Sequence, residues 1–407
     1  MPPLFRTGAV LSGGLMLCAL IAAPTASRGA STNLKEAQPR ANSISAAALG
    51  SLGAPATLMM LREGDRIVQS VAVGIANRRT GRSATIHDRW RIASVTKMVT
   101  AVVVMQLVRE GRLGLDNAVA TYLPRAVPLA DQITIRQLLN HTSGIPDYLA
   151  GPRVPINVSA RMLKANLIRH RPFRQRLADA NRQPRTFKPG EMHEYSNTNY
   201  LLLERIIARV SGMSYDKIVQ SRVLKPLGLT HTAFVDPANR LPRNQLRGYV
   251  AGDTKRGPFK SHKRLVDVTR HDYLTGADGG LTSDLTDLTR LMDAIWSGPL
   301  LTAGERAAMT TDTVEDHDGV YRYGFGVAAY KQSCGITVYG HEGRDLGVYT
   351  MALSDRSSRR HLVVAVNKFI DDRAAFDRQL FNIQEQVFCG VRTPDTIIHP
   401  NASKTSR

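Results

Sequence analysis

The spacing of apolar positions divides the chain into three stretches. Between residues 54 and 73, two runs rich in apolar and β-branched residues (APATLMML and RIVQSVAV) flank Gly64-Asp65, a turn-forming pair. Strands are therefore expected over 54–61 and 66–73, joined as a hairpin. Trp90-Arg91-Ile92-Ala93 reads as a short extended piece leading into Ser94. From Met98 to Val108 the chain is apolar on nearly every side of a helical projection, which predicts a buried helix, ended by Gly111. The middle of the chain has helical patterns at 135–139, 197–210, 215–223 and 285–296, separated by turns containing Pro and Gly. After Pro299 strand-like runs return at 323–329, 335–339, 346–353 and 361–366, before a last helix over 372–388. Strands at both ends with helices between them predict one sheet assembled from the two ends of the chain. This is an α+β class with an inserted, mostly helical region.

The chain termini read differently. Residues 8–23 are apolar and small behind Arg6, too short and too broken by Ser12, Gly13 and Gly14 for a membrane span. The pattern is that of an export signal over residues 1–30, cleaved somewhere around 23–30. Cys18 is a poor lipid-attachment site, because the residue before it is Leu17. Residues 31–44 are a small, polar linker, 45–392 the folded domain and 393–407 a polar tail.

The formal charge of +20 falls to +18 without Arg6 and Arg28. Such a charge fits an ordinary basic surface, or attraction to a polyanion such as a cell-wall polymer or an anionic membrane surface. The basic residues are dispersed, aromatic residues are only 6% of the chain and no nucleic-acid motif occurs, which argues against nucleic-acid binding. Past the signal two cysteines remain, Cys334 and Cys389. In an oxidising compartment such a pair bonds; otherwise they are two buried thiols. No metal-ligand cluster stands out, and neither a metal nor a cofactor is expected.

Three groups of residues could carry chemistry. A serine hydroxyl needs a base within reach, and residues three apart share a helix face. Ser94-Val95-Thr96-Lys97 thus sets an amine one turn from a hydroxyl at the start of the buried helix, where the helix dipole favours developing negative charge. Apolar surroundings would lower the pKa of Lys97. The same spacing recurs at Ser214–Lys217, in an amphipathic stretch read as structural. Tyr195-Ser196-Asn197 offers a general base and a bifunctional amide, or merely a helix cap. His341-Glu342-Gly343 follows a strand; there the histidine could supply positive potential or a hydrogen bond, and Gly343 would let a substrate backbone approach. A second HxG, at His317–Gly319, lies in an acidic stretch read as an exposed loop.

Taken in this order, SxxK, YxN and HxG resemble the serine β-lactamase-like superfamily, in its class C β-lactamase and D-alanyl-D-alanine carboxypeptidase branch. LLNHTSGIPDY (138–148), FKPGEMHEYSN (187–197), LKPLGLT (224–230) and YGFG (323–326) agree with it. CGITVYGH (334–341) with Phe388-Cys389-Gly390 looks most like secreted actinobacterial D-alanyl-D-alanine carboxypeptidases. The likeness covers about residues 45–392.

It implies an antiparallel β-lactamase/transpeptidase-like fold and a Cys334–Cys389 disulfide. It also implies an acyl-enzyme on Ser94, with proton transfer by Lys97 and Tyr195. Asn197 would hold Lys97 and the acyl-side amide, His341 would assist Tyr195, and the oxyanion hole would be the backbone N–H groups of Ser94 and Arg344. Two departures bear on specificity. Glu342 and Arg344 occupy positions that in the family face a substrate carboxylate, where Glu342 would repel it and Arg344 could bind it or neutralise Glu342. Ala328 stands about where the closest relatives have a carboxylate-binding arginine. The expected activity is a D-alanyl-D-alanine carboxypeptidase on cell-wall peptides. Its rivals are an esterase, β-lactamase or D-amino-acid peptidase of the same superfamily, and a non-catalytic cationic envelope-binding protein.

Overall fold

The hairpin expected near the amino end forms from β1 (Ala56–Glu63) and β2 (Arg66–Asn77), with Glu63 paired to Arg66 across the turn. Gly64 takes φ +53, a left-handed conformation that glycine adopts without strain. The computed structural model describes residues 44–150, 171–235, 242–251, 265–271, 274–316, 319–355, 360–368 and 373–390. The signal, all but the last residue of the linker, the polar tail and His317 lie outside them.

Short strands follow: β3 (Arg82–Ser83), β4 (Trp90–Arg91), β5 (Ala233–Phe234), β6 (Tyr249–Ala251), β7 (Leu265–Asp267) and β8 (Leu281–Ser283). The carboxy-terminal strands are β9 (Val314–Glu315), β10 (Arg322–Tyr323), β11 (Ala328–Lys331), β12 (Thr337–Asp345), β13 (Val348–Asp355) and β14 (Arg360–Val366). Among the described residues the main sheet has nine strands in the order β3-β2-β1-β14-β13-β12-β11-β10-β9. β1 lies beside β14, with Thr57 opposite Val366 and Leu61 opposite Leu362. The two ends of the chain therefore do build one antiparallel sheet, and the fold is the expected α+β arrangement.

Strand periodicity splits the core into two layers. Leu58 and Met60 of β1 face the helices Thr96–Arg109, Asn197–Ser211 and Leu285–Trp296, whereas Met59 and Leu61 face the last helix, Arg373–Phe388. β13 and β14 are buried along their whole length because both faces are covered. Helix Thr96–Arg109 is buried from Thr96 to Leu107, as its all-round apolar pattern requires.

Two expected elements differ. The run at 323–329 is not one strand. Gly324 and Val327 close a turn between β10 and β11, and Gly326 at φ +68 comes so close to the helix that an added Cβ would stand 2.7 Å from the Lys97 carbonyl. The helix expected over 215–223 runs from Tyr215 to Val219 and continues as a π-type turn, Gln220–Leu224.

Cys334 and Cys389 are bonded, with Cα atoms 5.7 Å apart, and tie the start of β12 to the end of the last helix. Glu385, fully buried, adds to that tie by accepting the Ser333 N–H at 2.8 Å. Because the bond closes a loop of 55 residues, a Cys334→Ala/Cys389→Ala variant is expected to lose about 4 kcal/mol of unfolding free energy in chemical denaturation.

Candidate active site

Ser94 sits in a single 3₁₀ turn, Ala93–Val95, that feeds straight into helix Thr96–Arg109. Ala93 adopts φ 50, an uncommon conformation for a residue with a side chain. Neighbouring contacts hold the turn there. The Ile92 N–H donates to Leu281 O of β8 at 3.0 Å, and β12 packs directly on the turn through Gly343. A Cβ on Gly343 would stand 2.1 Å from the Ile92 carbonyl oxygen. The close approach that Gly343 permits in the structure is to the protein's own nucleophile turn.

Lys97 is fully buried, one turn on. Its ammonium has three donors and meets three acceptors: Ser94 Oγ at 3.0 Å, Asn197 Oδ1 at 2.8 Å and the Asp278 carbonyl at 2.6 Å. Burial drives its pKa down to about 8, against the pull of the Asp278 and Asp147 carboxylates, which favour the charged form. Losing one proton leaves a lone pair to take the Ser94 hydroxyl proton. Asn197, the first residue of helix Asn197–Ser211, is oriented in turn by Asp147, whose Oδ2 accepts its Nδ2–H at 2.8 Å.

Tyr195 lies half-buried close to Ser94, with its hydroxyl shielded from solvent. Desolvation raises its hydroxyl well above the ordinary range, and its pairing with Ser94, which opposes that rise, is too loose to count as a formed hydrogen bond. A buried hydroxyl without a firm partner suits a group that completes its bonding with substrate. The Lys97 amine lies 5.0 Å from the centroid of the Tyr195 ring. On the other side His141, held at φ 60, lies 4.2 Å from it, centroid to centroid, and takes the Ser196 N–H on Nδ1 at 3.2 Å.

His341 does not touch Tyr195 by hydrogen bond. Its Nδ1 is taken up by the Glu342 carbonyl and its Nε2 faces the Tyr323 hydroxyl at 2.7 Å. Burial first, and then the charge of Lys97, push its pKa to about 3, so it is a neutral imidazole at ordinary pH. Of the two roles expected for it, positive potential does not fit this state; the hydrogen bond goes to Tyr323. The second SxxK, Ser214–Lys217, is exposed, with Ser214 at the start of helix Tyr215–Val219.

A family model described as Beta-lactamase matches residues 41–384. The chain belongs to that family. It is thus a serine hydrolase of the β-lactamase and penicillin-binding protein superfamily. Penicillin-binding protein 4* of Bacillus subtilis is 26% identical over 341 residues, spanning 82% of this chain and 72% of that protein. Protein flp of Staphylococcus aureus is 37% identical over 155 residues, 37% of this chain and 29% of its own length. Among solved structures, a D-stereospecific amidohydrolase from Streptomyces superposes with a TM-score of 0.74 at 30% identity, covering 86% of this chain and all of the other. A D-amino acid amidase from Ochrobactrum anthropi superposes with 0.71 at 23% identity, over 84% and 97%, a likeness of fold.

In this β-lactamase-family chain the pair after the histidine takes the second arrangement expected for it, Arg344 neutralising Glu342. His341 and Gly343 face the nucleophile, so strand alternation turns Glu342 and Arg344 to the other side of the sheet. There Arg344 Nη2 reaches Glu342 Oε2 at 3.1 Å and Asp377 Oδ1 of the last helix at 3.2 Å, and its guanidinium lies over Tyr349. These side chains neutralise one another on the face of the sheet away from Ser94. Among the described residues one group could bring three metal-ligating atoms together, His231, Asp284 and Asp287, and there Asp284 caps helix Leu285–Trp296 and accepts from His231.

Two outcomes follow from this geometry. Gly343→Ala must displace the Ile92 carbonyl, so acylation of Ser94 by a fluorophosphonate is expected to slow about 100-fold while the protein stays folded. Because Lys97 accepts a proton only as the free amine, kcat/KM for an activated ester should rise with pH through a midpoint of about 8 and level off above it. His341, neutral throughout, should add no limb of its own between pH 5 and 8.

Proposed function

We propose that the chain is an exported serine amidohydrolase that acts on D-amino-acid amides, esters or short peptides with an uncharged carboxyl end. The observation that carries this reading is Arg344. The cation expected to meet a terminal carboxylate is bound to Glu342 and Asp377 on the far face of the sheet. Ala328, on β11 opposite Gly340, offers no charge either. The D-stereospecific amidohydrolase of Streptomyces, 30% identical along its whole length, supports the substrate class.

In this reading Ser94 Oγ attacks the amide carbonyl carbon and its proton passes to the free amine of Lys97. The backbone N–H groups of Ser94 and Arg344 receive the oxyanion; each donor of this kind is worth about 3 kcal/mol of barrier. Lys97 and Tyr195 return the proton to the leaving nitrogen as the C–N bond breaks, giving the acyl-enzyme and an amine. Water then enters by the reverse proton path and releases the acid. The Cys334–Cys389 bond supports an oxidising compartment, consistent with the amino-terminal signal pattern. The high positive charge would favour contact with an anionic wall polymer.

The penicillin-binding relatives favour a second reading, a D-alanyl-D-alanine carboxypeptidase. A substrate panel separates the two. Release of ammonia from D-phenylalanine amide or D-alanine amide, lost in Ser94→Ala, with D-Ala-D-Ala peptides cleaved at least about 100-fold less efficiently, is the expected result. Efficient release of D-alanine from such peptides, with a stable benzylpenicillin adduct on Ser94, would favour the carboxypeptidase.

A further inference from the structure

Behind the reacting residues lies a buried polar layer that proton transfer as described does not use. Asp278 is fully buried in the turn Gly276–Asp278, and its carbonyl is one of the three acceptors of Lys97, at 2.6 Å. Its carboxylate has its own partners: Oδ2 accepts the Tyr148 hydroxyl at 2.5 Å, and Arg176 Nη1 stands 3.8 Å from Oδ1. The turn is fixed independently of that carboxylate. Glu204 accepts the Ala277 N–H at 3.0 Å and Thr100 donates to the Ala277 carbonyl at 3.0 Å. A side chain on Gly276 would run into Glu204, 1.9 Å away. Presenting a carbonyl to Lys97 therefore needs no charge at 278, and a buried carboxylate costs several kcal/mol before compensation.

We propose that Asp278 is a positioning residue for the reaction: its carbonyl aims the Lys97 amine, and its carboxylate, tempered by Arg176, sets that amine's charge state. Of the other groups facing Lys97, the Asp147 carboxylate adds to this charge, behind Asp278. Ser94 and Asn197 are neutral. Tyr195 and Tyr200 are raised by burial, and His141 and His341 lowered by it, so all four are uncharged in the working range. Burial raises the Asp147 carboxyl, and its oxygens already accept from Asn197 and the Leu149 N–H. A carboxylate favours the ammonium form and opposes the effect of burial, which keeps Lys97 titrating near neutral pH. A base is most effective when its pKa lies close to the pH at which it works.

The proposal rests on Lys97 as proton acceptor only for its catalytic consequence, so the test reads the amine directly, without substrate. Lys97 is followed by ¹³C NMR of its ε-carbon in lysine-labelled protein, assigned by its loss in Lys97→Met. The wild-type midpoint is expected at about 8. Asp278→Asn should lower it by about one unit. Arg176→Gln, which leaves the carboxylate less compensated, should raise it. The double variant, with no buried charge left unpaired, should still titrate below wild type. A loosened fold would not move the two single variants in opposite directions. Wild-type midpoints in folded Asp278→Asn or in the double variant would overturn the proposal. Should neither fold, an unmoved or lowered midpoint in Arg176→Gln would do so.

Discussion

The site is organised around the burial of one amine. Taking Lys97 out of water costs several kcal/mol unless its protons are met. The fold meets them from three separate places: the hydroxyl one turn back, the amide at the head of helix Asn197–Ser211 and the carbonyl of the turn before β8. Those three elements are distant in sequence and come together only because the helix that carries Lys97 runs through the core. The strain at Ala93, the missing Cβ at Gly343 and the tight turn at Gly326 are all consequences of packing neighbours hard against that helix. The charge state of the amine then follows from the balance between dehydration and the two nearby carboxylates.

β12 shows how one strand can serve two unrelated purposes. Its odd residues, His341 and Gly343, look toward the nucleophile, and its even residues, Glu342 and Arg344, look toward the last helix. Sequence likeness assigns all four to one site because they are consecutive. The period of two divides them, and with that division the charged pair passes from substrate recognition to holding a helix on the sheet.

Much of this was legible beforehand. The buried helix could be read because no face of it is polar, and the hairpin because its turn residues and flanking runs agree. Ser94, Lys97 and Asn197 could be placed together because helix spacing links the first two and the YxN motif supplied the third. Asp147, Asp278, His141 and Tyr323 were not assigned roles. Each is a polar residue in a loop or at a strand end, where local pattern says nothing about burial, and each acquires its part only from a partner far along the chain. Asp278 carried a faint signal, an acid set between glycines in GADGG, a composition that ordinary exposed turns share. The split of the 323–329 run was hidden because a tight turn with glycine at 324 and 326 has the same apolar composition as a strand.

The neighbourhood of β1 and β14 has a bearing on how the molecule is made. The first long strand to leave the ribosome waits for the last one, some 300 residues later, before its inner edge is covered. Nothing short of a chain that has been made as far as β14 can close the sheet. Topologies of this kind, dominated by distant pairings, assemble slowly. Slowness of that sort would keep a nascent chain threadable, as the export proposed above would require.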